Sequence, residues 1–122
     1  MNSNKTLIKE VEESENRVEI FTNKESYRQG EEIYIKISFF SKADLEKSEI
    51  KVSGIKARYG NYISLSKVVD IKKGENIIEF SSRAPYCSSC TGVNPGLHEI
   101  EAQIFYNNTL IASASKNITI EA

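Results

Sequence analysis

The chain has 122 residues, with 16 Lys and Arg against 17 Asp and Glu, a net charge of −1, and 39% hydrophobic residues. That length fits one domain around one core, and the balanced charge excludes the basic footprint of a nucleic-acid binder and any net attraction to an anionic membrane. Ile, Val and Thr outnumber Leu, Ala and Met, which favours strands over helices, and no apolar run approaches the roughly 20 residues that cross a bilayer as a helix.

Residues 1–16 are polar and charged, with Leu7, Ile8 and Val11 as the apolar anchors. They read as a tail, a short helix or a pairing strand, and 17–122 as the folded domain. From Val18 the apolar period is two. Val18–Thr22 forms a first strand, and the loop after it, Asn23–Gly30, ends on a glycine able to take the positive φ of a turn. Ile33, Ile35, Ile37 and Phe39 then share one face of the clearest strand.

Ile50 and Val52 continue this scheme, but Ile55, Ala57 and Tyr59 resume it with opposite parity across Gly54. A bulge at Gly54 would restore the register. Gly60-Asn61 between Tyr59 and Tyr62 reads as a tight hairpin turn. Ile63, Leu65, Val69 and Ile71 follow in step, Lys72–Glu75 makes a turn, and the strand with Ile78 and Phe80 stops at Pro85, which cannot donate to a ladder. Residues 84–96 are irregular. Beyond them His98, Ile100, Ala102, Ile104 and Tyr106 share a face, Asn107-Asn108 turns the chain, and Leu110, Ala112, Ala114, Ile118 and Ile120 line the last strand. The expected fold is all-β, a seven-stranded antiparallel sandwich with Greek-key connections.

The stretch Thr22–Ile33, with its Lys24, Tyr27 and Gly30-Glu31 ahead of an alternating strand, resembles immunoglobulin-like modules of prokaryotic surface proteins and macroglobulins. Pro95–Ala102 resembles their sixth strand, with His98 where an aromatic residue usually stands. The likeness spans about 18–120 and implies an immunoglobulin-like sandwich of the macroglobulin or fibronectin-III type, from an archaeal or bacterial surface protein. The chain has no cysteine pair joining the sheets and no Trp, so it departs from antibody domains.

Cys87-Ser88-Ser89-Cys90 has the spacing of a local disulfide, of half a zinc site or of a redox dithiol. A redox thiol wants a helix N-terminus and zinc wants four ligands, so a disulfide bracing the loop is expected, and no metal or cofactor. His98, the single histidine, faces inward by parity and reads as a structural residue. Tyr27, Tyr59, Tyr62 and Tyr86 lie in or beside connections that emerge at one end of such a sandwich, near Arg58. Tyr and Arg join apolar area to a hydrogen-bonding tip, so Arg58, Tyr59, Tyr62 and Tyr86 form the candidate binding site. The alternative is that Tyr27 and Tyr59 fold back over the core.

Asn4, Asn107 and Asn117 head glycosylation sequons. With the vicinal cysteines they favour an exported fragment, extracellular or at a cell surface, although the polar start also fits a protein kept inside the cell. The expected function is a non-catalytic module that binds or spaces, with a protein or glycan surface as partner. One alternative is a self-associating assembly subunit whose segment Thr6–Val11 pairs with a neighbour's sheet edge. Another is a protease inhibitor or a dithiol redox protein.

Overall fold

The computed structural model describes residues 16–87 and 90–122. The expectations placed on Asn4 and on Thr6–Val11 lie outside the described residues, as do Ser88 and Ser89.

The strands are β1 (Arg17–Thr22), β2 (Ser26–Tyr27), β3 (Glu32–Ser41), β4 (Leu45–Ala57), β5 (Gly60–Ile71), β6 (Gly74–Arg83), β7 (Gly96–Tyr106) and β8 (Thr109–Ile120). One sheet has the order β1-β3-β6 and the other β2-β8-β7-β4-β5. Among the described residues the fold is therefore an all-β two-sheet sandwich of eight strands, a correction to the expected seven. The extra strand is β2, too short to show a period, and it pairs parallel with β8 where the expectation was antiparallel throughout. It exists because the chain leaves β3 after Thr22 and reaches the other sheet before turning into β3 itself.

The core fills the space between the sheets. Ile33, Ile35, Ile37 and Phe39 of β3, with Ile78 and Phe80 of β6, meet Ile50 and Val52 of β4, Ile100, Ala102 and Ile104 of β7, and Ile118 and Ile120 of β8. Alternation puts these side chains inward, and the β-branched residues suit the pleat. Full burial of each Ile contributes roughly 1.5–3 kcal/mol.

The parity change at Gly54 is present: Val52, Gly54 and Ile55 are all buried. It is not made by a residue inserted against β5, since the β4–β5 register runs unbroken from Ser48↔Val69 to Ala57↔Gly60. Gly54 at φ 156° and Ile55 at φ 60° turn the strand over, and the ladder between β4 and β7 stops at Gly54↔Ile100. A shift on β4 does occur earlier, between Leu45 and Ser48, where Lys47 has φ 56°.

Two further details differ from expectation. The β4–β5 turn is Arg58-Tyr59, with Gly60 opening β5. Gly60 serves through its φ of 116° just after the turn, rather than inside it. In β8 the register against β7 shifts between Ile104 and Phe105. That shift moves Leu110 out of the inward set to an exposed position. Asn107 and Asn108 turn the chain with φ 50° and 62°, the two left-handed residues a type I′ hairpin needs.

Candidate binding end of the sandwich

Three connections meet at one end: 23–31, the Arg58-Tyr59 turn, and 84–95. The first is organised by Tyr27, which is fully buried. Its hydroxyl donates to Asn23 Oδ1 at 2.5 Å and accepts from the Lys24 N–H at 3.0 Å. Asn23 Oδ1 also accepts the Tyr34 N–H at 3.0 Å, and the Asn23 N–H donates to the Tyr34 carbonyl at 3.2 Å. The same side chains thus finish β1 and launch β2. Further on, Glu31 Oε1 accepts the Arg28 N–H at 2.8 Å and Lys24 Nζ at 2.9 Å.

These bonds, the Arg28 N–H first and Lys24 second, hold the Glu31 carboxyl below its ordinary range. A lowered carboxylate pKa supports the fold at neutral pH, and that support fades as pH falls through the folded-state value.

The second and third connections are tied to the first. Gly30 donates to the Ala84 carbonyl at 2.9 Å and its own carbonyl accepts Arg83 Nη1 at 3.0 Å. Tyr86 crosses directly above Gly30, where a Cβ would stand 2.7 Å from the phenol oxygen. The Cys87 N–H donates to Gln29 Oε1 at 3.2 Å. Thr91 Oγ1 donates to the Tyr86 carbonyl at 2.9 Å, and the Arg58 N–H donates to the Thr91 carbonyl at 2.9 Å. Gly92 lies against Arg58 so closely that a Cβ would stand 2.6 Å from its backbone nitrogen.

Of the sequence-predicted site residues, Arg58, Tyr59 and Tyr86 are brought to this end. Tyr59 is 91% exposed and Tyr86 66%, so Tyr59 does not fold back over the core as the alternative had it, whereas Tyr27 does. The Arg58 guanidinium carbon lies 5.9 Å from the centre of the Tyr59 ring. Tyr62 is set apart: at 40% exposure it stands beside inward-facing Ile63 on the outer side of β5. Asn107, at its turn, and Asn117, on β8, are both exposed. His98 is half-buried, its Nε2 2.7 Å from the Asn94 carbonyl, a satisfied residue that braces the end of the third connection.

The expected ring between Cys87 and Cys90 is not formed: both are free thiols, Cys87 half-buried and Cys90 exposed. Described residues on either side are tied without the bridge, Cys87 to Gln29, Thr91 to the Tyr86 carbonyl, and Val93 to Thr91. Closing the ring would add about 2 kcal/mol in the chain-entropy view. Native-state alkylation with iodoacetamide, followed by intact mass and peptide mapping, is expected to label Cys90 first and Cys87 several times more slowly. Equal rates would contradict the burial difference, and no label without reductant would report the bonded form.

Sequence reasoning missed a groove of about 580 Å³ lined by Lys56, Arg58, Asn61, Leu97, His98 and Glu99, among others. It opens because the β4–β7 ladder ends at Gly54, after which the β4–β5 hairpin and the start of β7 have no common ladder. The parity break in the sequence was its only signal. Arg58 forms one wall, and Leu97, 68% exposed, stands on the other.

No protein-family model matches the chain, and neither does any curated protein sequence. Solved structures do resemble it. The sporulation control protein Spo0M of Bacillus subtilis aligns over 88% of this chain at TM-score 0.65 and 17% identity, and this chain spans half of that protein's chain. The alkylpurine DNA glycosylase AlkC of Pseudomonas fluorescens, solved on DNA containing an abasic-site analogue, aligns over 89% at TM-score 0.64 and 15% identity, but over 31% of its own chain. The CARDB domain of PF1109 from Pyrococcus furiosus, solved with di-metal ions, aligns over 88% of this chain and 93% of its own, at TM-score 0.60 and 13% identity. At such identities the likeness speaks for the fold, and with the CARDB domain matching nearly end to end, that fold is an immunoglobulin-like β-sandwich.

Proposed function

We propose that this chain is a non-catalytic immunoglobulin-like module of a cell-surface or secreted protein, binding a protein or glycan surface through the end that carries Arg58, Tyr59 and Tyr86. The observation that carries this reading is the groove beside Arg58, with Tyr59 exposed in the chain between its lining residues Arg58 and Gly60, on backbone fixed by the Arg58–Thr91 hydrogen bond. A rigid backbone frame has little freedom to lose on binding, and a Tyr ring adds large contact area at low side-chain entropy cost, which is what an interface anchor requires. The near end-to-end match to a CARDB domain is consistent with a non-catalytic module. Tyr62, set apart on β5, is left out of the site, and protein kept outside the cell would expose Asn107 and Asn117 to glycosylation.

The test is binding of the purified chain to arrayed glycans and polysaccharides, together with photo-crosslinking from position 59 or 68 in the native full-length protein. Binding, and a discrete adduct from position 59 but not from Val68, are the expected results. Tyr59→Ala and Arg58→Ala should each weaken binding about tenfold, and Tyr86→Ala severalfold, in keeping with interface hot spots. Unchanged binding in a Tyr59→Ala/Tyr86→Ala double variant would overturn the reading.

A second reading, assembly by strand exchange, is favoured by a separate observation on β8.

A further inference from the structure

We infer that the open edge of β8 from Ser113 to Asn117 takes an added strand from a second copy of this chain, and that the strand is Thr6–Val11. This lies on the side of the sandwich and does not rest on the binding role of the loop end.

The argument begins with backbone direction. Thr119 donates its N–H to the Glu25 carbonyl at 2.9 Å and Glu121 to the Tyr27 carbonyl at 2.8 Å, so odd-numbered residues of β8 point their main-chain groups away from β7. Strand β2 answers them over Ser26↔Thr119 and Tyr27↔Ile120 alone. By alternation Ser113, Ser115 and Asn117 direct N–H and C=O toward the same open side, where no described residue forms a ladder with them. Unpaired edge groups are a template for another strand.

Natural edges are usually guarded, and the contrast within this molecule is informative. On β6, another edge strand, Lys67 Nζ from β5 lies 2.5 Å from the Glu79 carbonyl and occupies it. On β8 the one charged residue is Lys116, and its ammonium is already held by Glu25 at 3.0 Å. The remaining side chains along the open stretch are small: Ala112, Ser113, Ala114 and Ser115. Charged groups stand to its sides, Arg17 and Glu19 of β1 in the groove they share with Ser113 and the Lys116–Glu25 pair toward the other end, while the edge residues themselves leave room for a backbone.

The occupant is indicated by where the described chain starts. Asn16, Val18, Ala112 and Ser113 help line a groove of about 900 Å³ at the heads of β1 and β8, so the described chain begins beside this edge. Within them Thr6-Leu7-Ile8-Lys9-Glu10-Val11 carries the apolar residues. Extended, a segment of that length covers about 20 Å, enough for the open stretch with a residue beyond. The link after it is Glu12-Glu13-Ser14-Glu15. Its three carboxylates repel one another, a composition that favours reach over a tight reversal. In the inferred assembly the segment of each copy pairs with the other copy's edge, and exchange in both directions closes a two-fold dimer.

Sedimentation equilibrium of the full chain, of a chain starting at Asn16 and of full-length Ser115→Pro tests this. Proline at 115 removes a donor from the open edge while leaving the β7 ladder, which uses the even-numbered residues, intact. The full chain is expected to dimerise with rising concentration, and both variants to raise the dissociation constant at least tenfold. A peptide spanning residues 4–13 should compete with the dimer, an arm that stands even if Ser115→Pro folds poorly. Dimers that survive removal of 1–15 but not Ser115→Pro would overturn the inference in favour of β8 pairing with β8. A full chain monomeric at millimolar concentration would overturn it outright. So would a monomer whose Ser113, Ser115 and Asn117 amides exchange faster only after truncation, since the segment would then cap its own edge.

Discussion

Gly54→Ala should cost the fold at least about 3 kcal/mol, read as a drop in the urea midpoint at unchanged slope. A Cβ at this position would stand 2.4 Å from the Glu99 carbonyl oxygen and 2.6 Å from Ile100 Cα. Both are backbone atoms of β7 and cannot step aside without breaking the ladder. The conformation itself, φ 156°, adds strain for any L side chain. Gly74→Ala is the internal control: its φ is 102°, but a Cβ there meets nothing within 4 Å. It should lose only the conformational part, about 1–2 kcal/mol. If Gly54→Ala were no worse than Gly74→Ala, the close approach of β4 to β7 would not be what this glycine serves.

Tyr27→Ala should be of comparable severity, about 3–5 kcal/mol, the range for emptying the site of a buried aromatic ring. Tyr27→Phe separates the ring from the hydroxyl and should cost about 1–2 kcal/mol, since the bonds to Asn23 and Lys24 are lost while the packing stays. The phenylalanine variant should also speed amide exchange at Thr119 and Glu121, because their acceptors, Glu25 and Tyr27, sit on the segment that the hydroxyl anchors. Thermal and urea unfolding with exchange measured by NMR would decide. Tyr27→Ala within about 1 kcal/mol of the parent would show that the ring is not a keystone of the first connection.

Much of this architecture is written in the chain where two-fold alternation is strong. Ile33, Ile35, Ile37 and Phe39 announce β3 and its buried face, and the parity break at Gly54 announces a local distortion. What the sequence conceals is whatever depends on partners distant along the chain. Two residues cannot display a period, so β2 is invisible until Glu25 and Tyr27 are seen bonded to β8. Gly60-Asn61 has the composition of a hairpin turn, yet the turn falls two residues earlier because Gly60 pairs with Ala57. Leu110 looks inward until the shift opposite Phe105 is known. At the candidate site, Arg58, Tyr59 and Tyr86 were legible as exposed aromatic and basic residues in connections. The groove beside Arg58 was not, since its wall is made by Leu97 and His98, about forty residues further along. Nor does the spacing of Cys87 and Cys90 decide whether they are bonded, since the surrounding redox poise sets that.

The parallel pairing of β2 with β8 has a mechanical consequence. Chain entering at Asn16 and chain leaving at Ala122 approach this pair from opposite ends. Tension drawn between those two points would run lengthwise along β2 and β8, loading the Glu25–Thr119 and Tyr27–Glu121 hydrogen bonds together in shear instead of peeling them apart one by one.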